Sequence, residues 1–168
     1  ASYRTALEID PGEADAHAGL GMMYSTRGDY AGGEASLRRA IEADPKRPNV
    51  HALLGSVLAQ TDRMQEARES FEKAVSVAPG DMSYRLTLGM FFFKSDRLVE
   101  AEEAFAQAVR VDPKHAEAHH YMGEVRAQQG KASEAIKSLE TVLRLDPQHG
   151  QARQKLGELR SRSGEGEL

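Results

Sequence analysis

Residues 48–81 read PNVHALLGSVLAQTDRMQEARESFEKAVSVAPGD. Val50, Leu54, Val57 and Leu58 share one face of a helix, because residues three and four apart are neighbours at 3.6 residues per turn. Thr61-Asp62-Arg63 interrupts that pattern, and Met64, Ala67, Phe71, Ala74 and Val75 begin a second stripe of the same period. Pro79-Gly80-Asp81 ends it, since proline cannot continue a helical ladder and is common just past a helix C-terminus. The stretch therefore predicts a helix, a short turn, an antiparallel helix and a proline-marked stop.

Moving outward, the same unit recurs in both directions. Five of the six prolines, Pro11, Pro45, Pro79, Pro113 and Pro147, stand 34 residues apart. Gly21, Gly55, Gly89, Gly123 and Gly157 keep that step, each preceded by a large apolar residue: Leu20, Leu54, Leu88, Met122 and Leu156. Ala6, Ala40, Ala74 and Ala108 form a small column with Val142 in its fifth place, and Tyr3, Leu37, Phe71, Phe105 and Leu139 form a large one. Independent columns locked to one period are the signature of a repeat array. The predicted helix pairs are 14–27 with 30–43, 48–60 with 64–77, 82–94 with 98–111, and 116–129 with 132–145, with a lone helix near 2–9 and another near 150–162. The expected organisation is a partial repeat 1–13, repeats 14–47, 48–81, 82–115 and 116–149, a terminal helix 150–162, and a small polar tail 163–168 expected to be disordered.

At these columns the chain resembles the tetratricopeptide repeat (TPR) family over residues 1 to about 162. The resemblance implies an all-α, right-handed superhelical solenoid of antiparallel helix pairs, with four complete repeats and a partial one at each end. Two departures stand out. The early first-helix position that is Trp-like in the family holds His17, His51, Arg85, His119 and Arg153. The later large apolar slot holds Tyr24, Leu58 and Phe92 but then Arg126 and Arg160, which predicts looser packing in the last units. Gly in each first helix, opposite Gly33, Ala67, Ala101 or Ala135 in the second, lets the backbones approach closely. The small column admits the next unit, and stacking buries stripes that no unit buries alone.

The family resemblance also implies that first helices line a concave groove. Its columns here hold Asp15, Ala18, Met22 and Ser25, then Asn49, Ala52, Ser56 and Ala59, then Ser83, Leu86, Met90 and Phe93. The fourth repeat adds Glu117, His120, Glu124 and Ala127, and the last helix Gln151, Gln154 and Glu158. Met22, Leu86, Met90 and Phe93 would form an apolar trough suited to another polypeptide, and Glu117, His120 and Glu124 a polar flank. Two known TPR specialisations are absent. Ala18, Met22, Leu53, Leu86 and Met90 cannot donate to a C-terminal carboxylate, and Gly19, Leu53, Thr87, Tyr121 and Lys155 are no asparagine ladder.

Chemistry is sparse elsewhere. The 168 residues contain no Cys and no Trp, which removes disulfides, thiolate metal sites and cysteine nucleophiles. With 22 Lys+Arg against 26 Asp+Glu, the net charge of −4 argues against nucleic acid, whose binders concentrate basic residues on one face. The basic run Arg153, Lys155, Arg160 and Arg162 reads as solubilising a terminal helix. Phe91-Phe92-Phe93 is far short of the ~20 apolar residues of a membrane span. His115 and His119 have an i,i+4 step, but Ala116 follows His115, so the zinc-protease pattern fails, and His119 shares a repeat column with His17 and His51. Gly19-x-Gly21 lacks a third glycine and a preceding strand, and no phosphate loop or strained nucleophile turn occurs.

The expected function is a non-enzymatic scaffold, without cofactor or metal, that holds a protein or peptide segment in its concave groove. The alternatives are a self-assembling adaptor and a recruitment domain cut from a larger enzyme or secretion component. Stacking of solenoid ends would give a homo-oligomer. Neither nucleic acid nor membrane insertion is expected. The chain begins at Ala1 without initiator Met or signal-like segment, so a fragment or processed product is expected. The compartment is unknown, with a soluble protein and the cytoplasm favoured over the periplasm.

Overall fold

A computed structural model describes residues 13–163, and among them every regular element is helical. In chain order these are α1 Ala14–Thr26, α2 Tyr30–Ala43, α3 Pro48–Gln60, α4 Met64–Val77, α5 Met82–Lys94, α6 Leu98–Val111, α7 Ala116–Gln128, α8 Ala132–Leu145 and α9 Gly150–Ser163. The helix expected near 2–9 and the tail beyond Ser163 lie outside the described residues.

The chain divides into two compact units, the first ending at Tyr84 and the second starting at Arg85, within α5. In the first, α1 pairs with α2 and α3 with α4, and α2 also packs on α3. In the second, α6 packs on α7, α7 on α8 and α8 on α9. Second helices such as α2 and α4 bury one stripe, Gly33, Leu37 and Ala40 or Ala67, Phe71 and Ala74. First helices are wedged between elements and bury more of their circumference, as in the continuous run Ala16 to Gly21 of α1.

The glycine column shows why each hairpin closes. A Cβ built on Gly21 would lie 2.5 Å from Leu37 Cγ, and one on Gly89 2.6 Å from Phe105 Cε1. At Gly55 the ring of Phe71 stands 3.0 Å away, and at Gly123 the isobutyl group of Leu139 also stands 3.0 Å away. The missing side chain of the first helix is the space that the large residue of the second helix fills. Leu37, Phe105 and Leu139 are each 0% exposed, so none of them has room to yield. Gly157 is different: nothing lies within 4 Å of its Cβ direction, because no second helix follows α9 among the described residues.

The turns repeat as faithfully. Gly28, Asp62, Asp96 and Gly130, one per hairpin, all have positive φ, between 57° and 81°. That left-handed geometry costs a non-glycine residue about 1 kcal/mol or more, and Asp is among the few that adopt it. Between units of the repeat, Asp44, Asp112 and Asp146 each accept a hydrogen bond from the backbone N–H two residues on, an Asx turn that sets the Asp-Pro corner.

Both departures from the family pattern are resolved by hydrogen bonding. The residue six beyond the repeat proline reaches back to its carbonyl: His51 Nε2 lies 2.9 Å from Pro45 O, His119 Nε2 lies 3.0 Å from Pro113 O, and Arg153 donates to Pro147 O. Arg126 does not loosen the fourth repeat. Its Nε donates to Glu102 Oε1 at 2.8 Å and a terminal nitrogen to Ser138 Oγ at 3.0 Å, while Val125, Leu139 and Val142 remain 0% exposed. Lys131 Nζ completes the cluster at 2.8 Å from the other oxygen of Glu102. Burial alone would raise the Glu102 pKa, but Lys131 and Arg126 outweigh it and hold the carboxyl below its usual range. Arg63 makes the matching link in the first unit, with one nitrogen 2.8 and 2.7 Å from the two oxygens of Glu34. Glu34 is likewise lowered, because Arg63 and Arg38 overcome the opposing effect of burial.

Gly89→Leu is expected to drive α5 and α6 apart and to unfold the chain in a single cooperative transition at much lower temperature. Gly157→Ala should instead raise stability by about 0.5–1 kcal/mol through helix propensity. Thermal melts followed by circular dichroism check both, and a Gly89→Leu melt equal to wild type would refute the packing role of the glycine column.

Candidate partner-binding clefts

Pairs of hairpins leave their successive first helices side by side, and within each unit an open cleft lies between them. In the first unit the cleft between α1 and α3 measures about 300 Å³ and is lined by Met22, Ser25, Thr26, Tyr30, Leu53, Ser56, Val57 and Gln60. Its lining is largely apolar, and Met22 is 49% exposed at its rim. Ser56 lines the cleft directly. Asn49 and Ala52 lie on the same face of α3 two turns and one turn earlier, exposed and half-buried respectively, but outside the cleft.

In the second unit Leu86, Met90 and Phe93 share a face of α5 at steps of four and three, and all three are half-buried. The expected apolar trough is thus divided, with Met22 in the first unit and the other three in the second. Ala18, another groove column, is only 8% exposed.

The cleft between α7 and α9 is polar and measures about 450 Å³, lined by His120, Tyr121, Glu124, Gln151, Gln154, Lys155 and Glu158. Five of these stand in the groove columns read from the sequence, and the fold brings them together from two helices. Lys155 Nζ lies 3.3 Å from Glu124 Oε2, and Gln154 Nε2 donates to Glu158 Oε1 at 3.0 Å. Tyr121 stacks on Phe105 with ring centroids 5.3 Å apart; burial and the neighbouring Glu117 push its phenol pKa up. Glu117 itself is exposed, in the first turn of α7.

His120 is the least conventional member. It is 8% exposed, its ring centroid is 4.7 Å from that of His149, and its Nδ1 is buried without a hydrogen-bond partner. Burial lowers its pKa, and His149 lowers it further, against the smaller opposing pull of Glu124 and Glu117. His120 is therefore held neutral.

The other histidines are tied to the backbone. His115 Nδ1 accepts from Ala118 N at 3.3 Å and caps α7, and His149 Nδ1 accepts from Ala152 N at 3.2 Å at the start of α9. His119 is bonded to Pro113 O, so the i,i+4 pair His115 and His119 is committed to helix termini. Among the described residues no group of three metal-ligating side chains is gathered. Three residues of the basic run on α9 are also engaged, Arg153 on Pro147 O, Lys155 on Glu124 and Arg160 on Glu140.

A third cleft, of about 360 Å³, has no counterpart in the sequence reading. It lies between α2, α3 and α4, with Ile41, His51, Leu54 and Leu58 among charged neighbours such as Arg38, Glu66 and Lys73. Buried His51, Leu54 and Leu58 form its floor and exposed charged side chains its rim, and the columns give no hint that they leave a gap.

Helix hairpins stacked at a 34-residue step define a helical-repeat protein. A family profile described as the cytochrome c-type biogenesis protein H TPR domain matches residues 34–153, and a tetratricopeptide repeat profile matches residues 1–57. The chain belongs to the tetratricopeptide repeat family, and its fold is an all-α TPR solenoid. No curated protein matches it. Among solved structures, YrrB, titled a TPR protein with an unusual peptide-binding site, is 27% identical with a TM-score of 0.74, over 91% of this chain and 79% of that one. PilF from Pseudomonas aeruginosa is 26% identical with a TM-score of 0.73, over 90% and 69% of the two chains. MamA is 21% identical with a TM-score of 0.76, over 89% and 87%, a likeness of fold. No helix among the described residues is long and apolar enough to cross a membrane.

The His120 environment makes a pH prediction. The unfolded chain takes up this proton from about pH 6.5 downward, whereas the folded chain resists it, so stability falls as pH drops below that value. The loss of melting temperature between pH 7 and pH 5 should be smaller in His120→Gln than in wild type. Equal losses would show that His120 carries none of the acid sensitivity.

Proposed function

We propose that this chain is a non-enzymatic scaffold that holds a segment of a partner protein against its first helices. The observation that carries the assignment is the pair of open clefts, α1 with α3 and α7 with α9, each lined mostly by side chains outside the buried core. Met22, Asn49, Ala52 and Ser56 supply the contact surface in the first unit, and Leu86, Met90, Phe93, Glu117, His120 and Glu124 in the second. In the first unit a partner segment would seat apolar side chains at Met22; in the second, a segment would seat apolar side chains on the α5 face and polar ones at α7. The peptide-binding site named for YrrB supports this use of the fold. The histidines best suited to acid–base or metal chemistry instead cap helices or bond to proline carbonyls, which supports a binding role over a catalytic one.

Selection of a displayed random-peptide library on the wild-type chain should enrich binders. Their affinity, measured by calorimetry, should fall about tenfold or more in Met22→Glu/Ser56→Glu with the helical circular dichroism unchanged. Both residues are exposed, so the double substitution leaves the core intact. If no peptide is enriched, or if bound peptides protect the second helices rather than the first from amide exchange, the assignment fails.

A further inference from the structure

We propose that α9 is an acid-released latch: protonation of the His120–His149 pair detaches α9 from α7 and α8 while the other helices of the second unit stay folded. The latch rests on the scaffold reading only for its use, since the polar cleft that it dismantles belongs to that contact surface.

The geometry at His120 makes the closed state proton-averse. A protonated imidazole has an N–H on both nitrogens and needs an acceptor for each. His120 is 8% exposed, and its Nδ1 is buried with no partner to receive such a donor. The ring of His149 stands 4.7 Å away, so a second proton there would repel the first. The other charges that face His120 are Lys155 of α9, which opposes the proton, and Glu117 and Glu124 of α7, which favour it. Burial and His149 outweigh the two carboxylates. Water supplies the missing acceptor as soon as His120 is uncovered.

Uncovering it requires the movement of α9 and little else. His120 lies on the side of α7 that meets Gln151, Gln154 and Lys155 of α9, and against His149 just before that helix. The same proton chemistry loosens α9 at its start. His149 Nδ1 accepts from Ala152 N at 3.2 Å, and a proton on that nitrogen removes the acceptor and sets a cation at a helix N-terminus, against the macrodipole. Asp146, whose carboxylate accepts from Gln148 N, and Arg153, which donates to Pro147 O, flank this cap. His115 caps α7 in the same way, but α7 is held between α6 and α8. By contrast, α9 packs chiefly on α8, through Ala152, Leu156 and Leu159. Gly157 in its middle lowers its helix propensity and has nothing packed over it. An element held on one side and weak in propensity is the one that opens locally before the rest unfolds.

The test is amide hydrogen exchange on the whole chain at pH 7 and pH 5, as protection factors corrected for the intrinsic pH dependence of exchange. The open form takes up the His120 proton from about pH 6.5 downward and the closed form resists it, so the open population rises as pH falls. Protection of the α9 amides should drop about fivefold or more between the two pH values, and that of α7 and α8 by less. His120→Leu, the residue type of Leu86 one repeat earlier, should flatten the drop. So should His120→Gln, made in case the leucine variant folds poorly. His149→Asn keeps an acceptor at the start of α9 without a titrating ring, and should preserve protection at pH 7 while reducing the drop. An α9 protection independent of pH, an equal loss in every helix, a loss centred on α7, or an undiminished drop in the His120 or His149 variants would each overturn the latch. The measurement needs no partner. A negative result therefore leaves the scaffold reading standing, and failure of the peptide selection leaves the latch standing.

Discussion

Each helix pair of this protein depends on one contact, in which a large buried side chain occupies the space above a glycine. Leu37 over Gly21, Phe71 over Gly55, Phe105 over Gly89 and Leu139 over Gly123 are the same interaction four times. A close approach filled by one rigid side chain fixes both the separation of the two helices and their register. The small residues at Ala40 and Ala108, both 0% exposed, sit where the following helix pair comes in.

Around that constraint the protein varies its polar solutions. Where an aromatic is expected, His51, His119 and Arg153 bond to the carbonyl of the repeat proline, turning an apolar anchor into a hydrogen-bonded one. Where an apolar residue is expected, Arg126 lies between Glu102 and Ser138. Partly exposed pairs of this kind contribute about 0–1 kcal/mol each. Their larger effect is to keep charged groups satisfied at positions that a purely apolar column would exclude.

The positions that the core does not need differ between the two units. The first unit presents an apolar cleft with methionine at its rim, and the second a polar cleft with paired carboxylates and a neutral buried histidine. The difference arises without any change of backbone plan, because both clefts lie between first helices one repeat apart. A scaffold of this kind acquires specificity by substitution on a surface whose shape is already set.

Periodicity alone determined the helical class, the 34-residue step, the helix edges to within a residue and the glycine column, because each is a local or nearest-neighbour property that every unit repeats. The turn geometry at Gly28 and Asp62, the back-bonding to Pro45 and the pairing of Arg126 with Glu102 were decided only by tertiary structure. So were the burial of His120 against His149 and the gathering of Glu124 with Gln154 and Glu158. A column states what kind of position a residue occupies. Which side chains converge there depends on residues some thirty positions away, brought within 3 or 4 Å by stacking, and on rotamers that no period encodes.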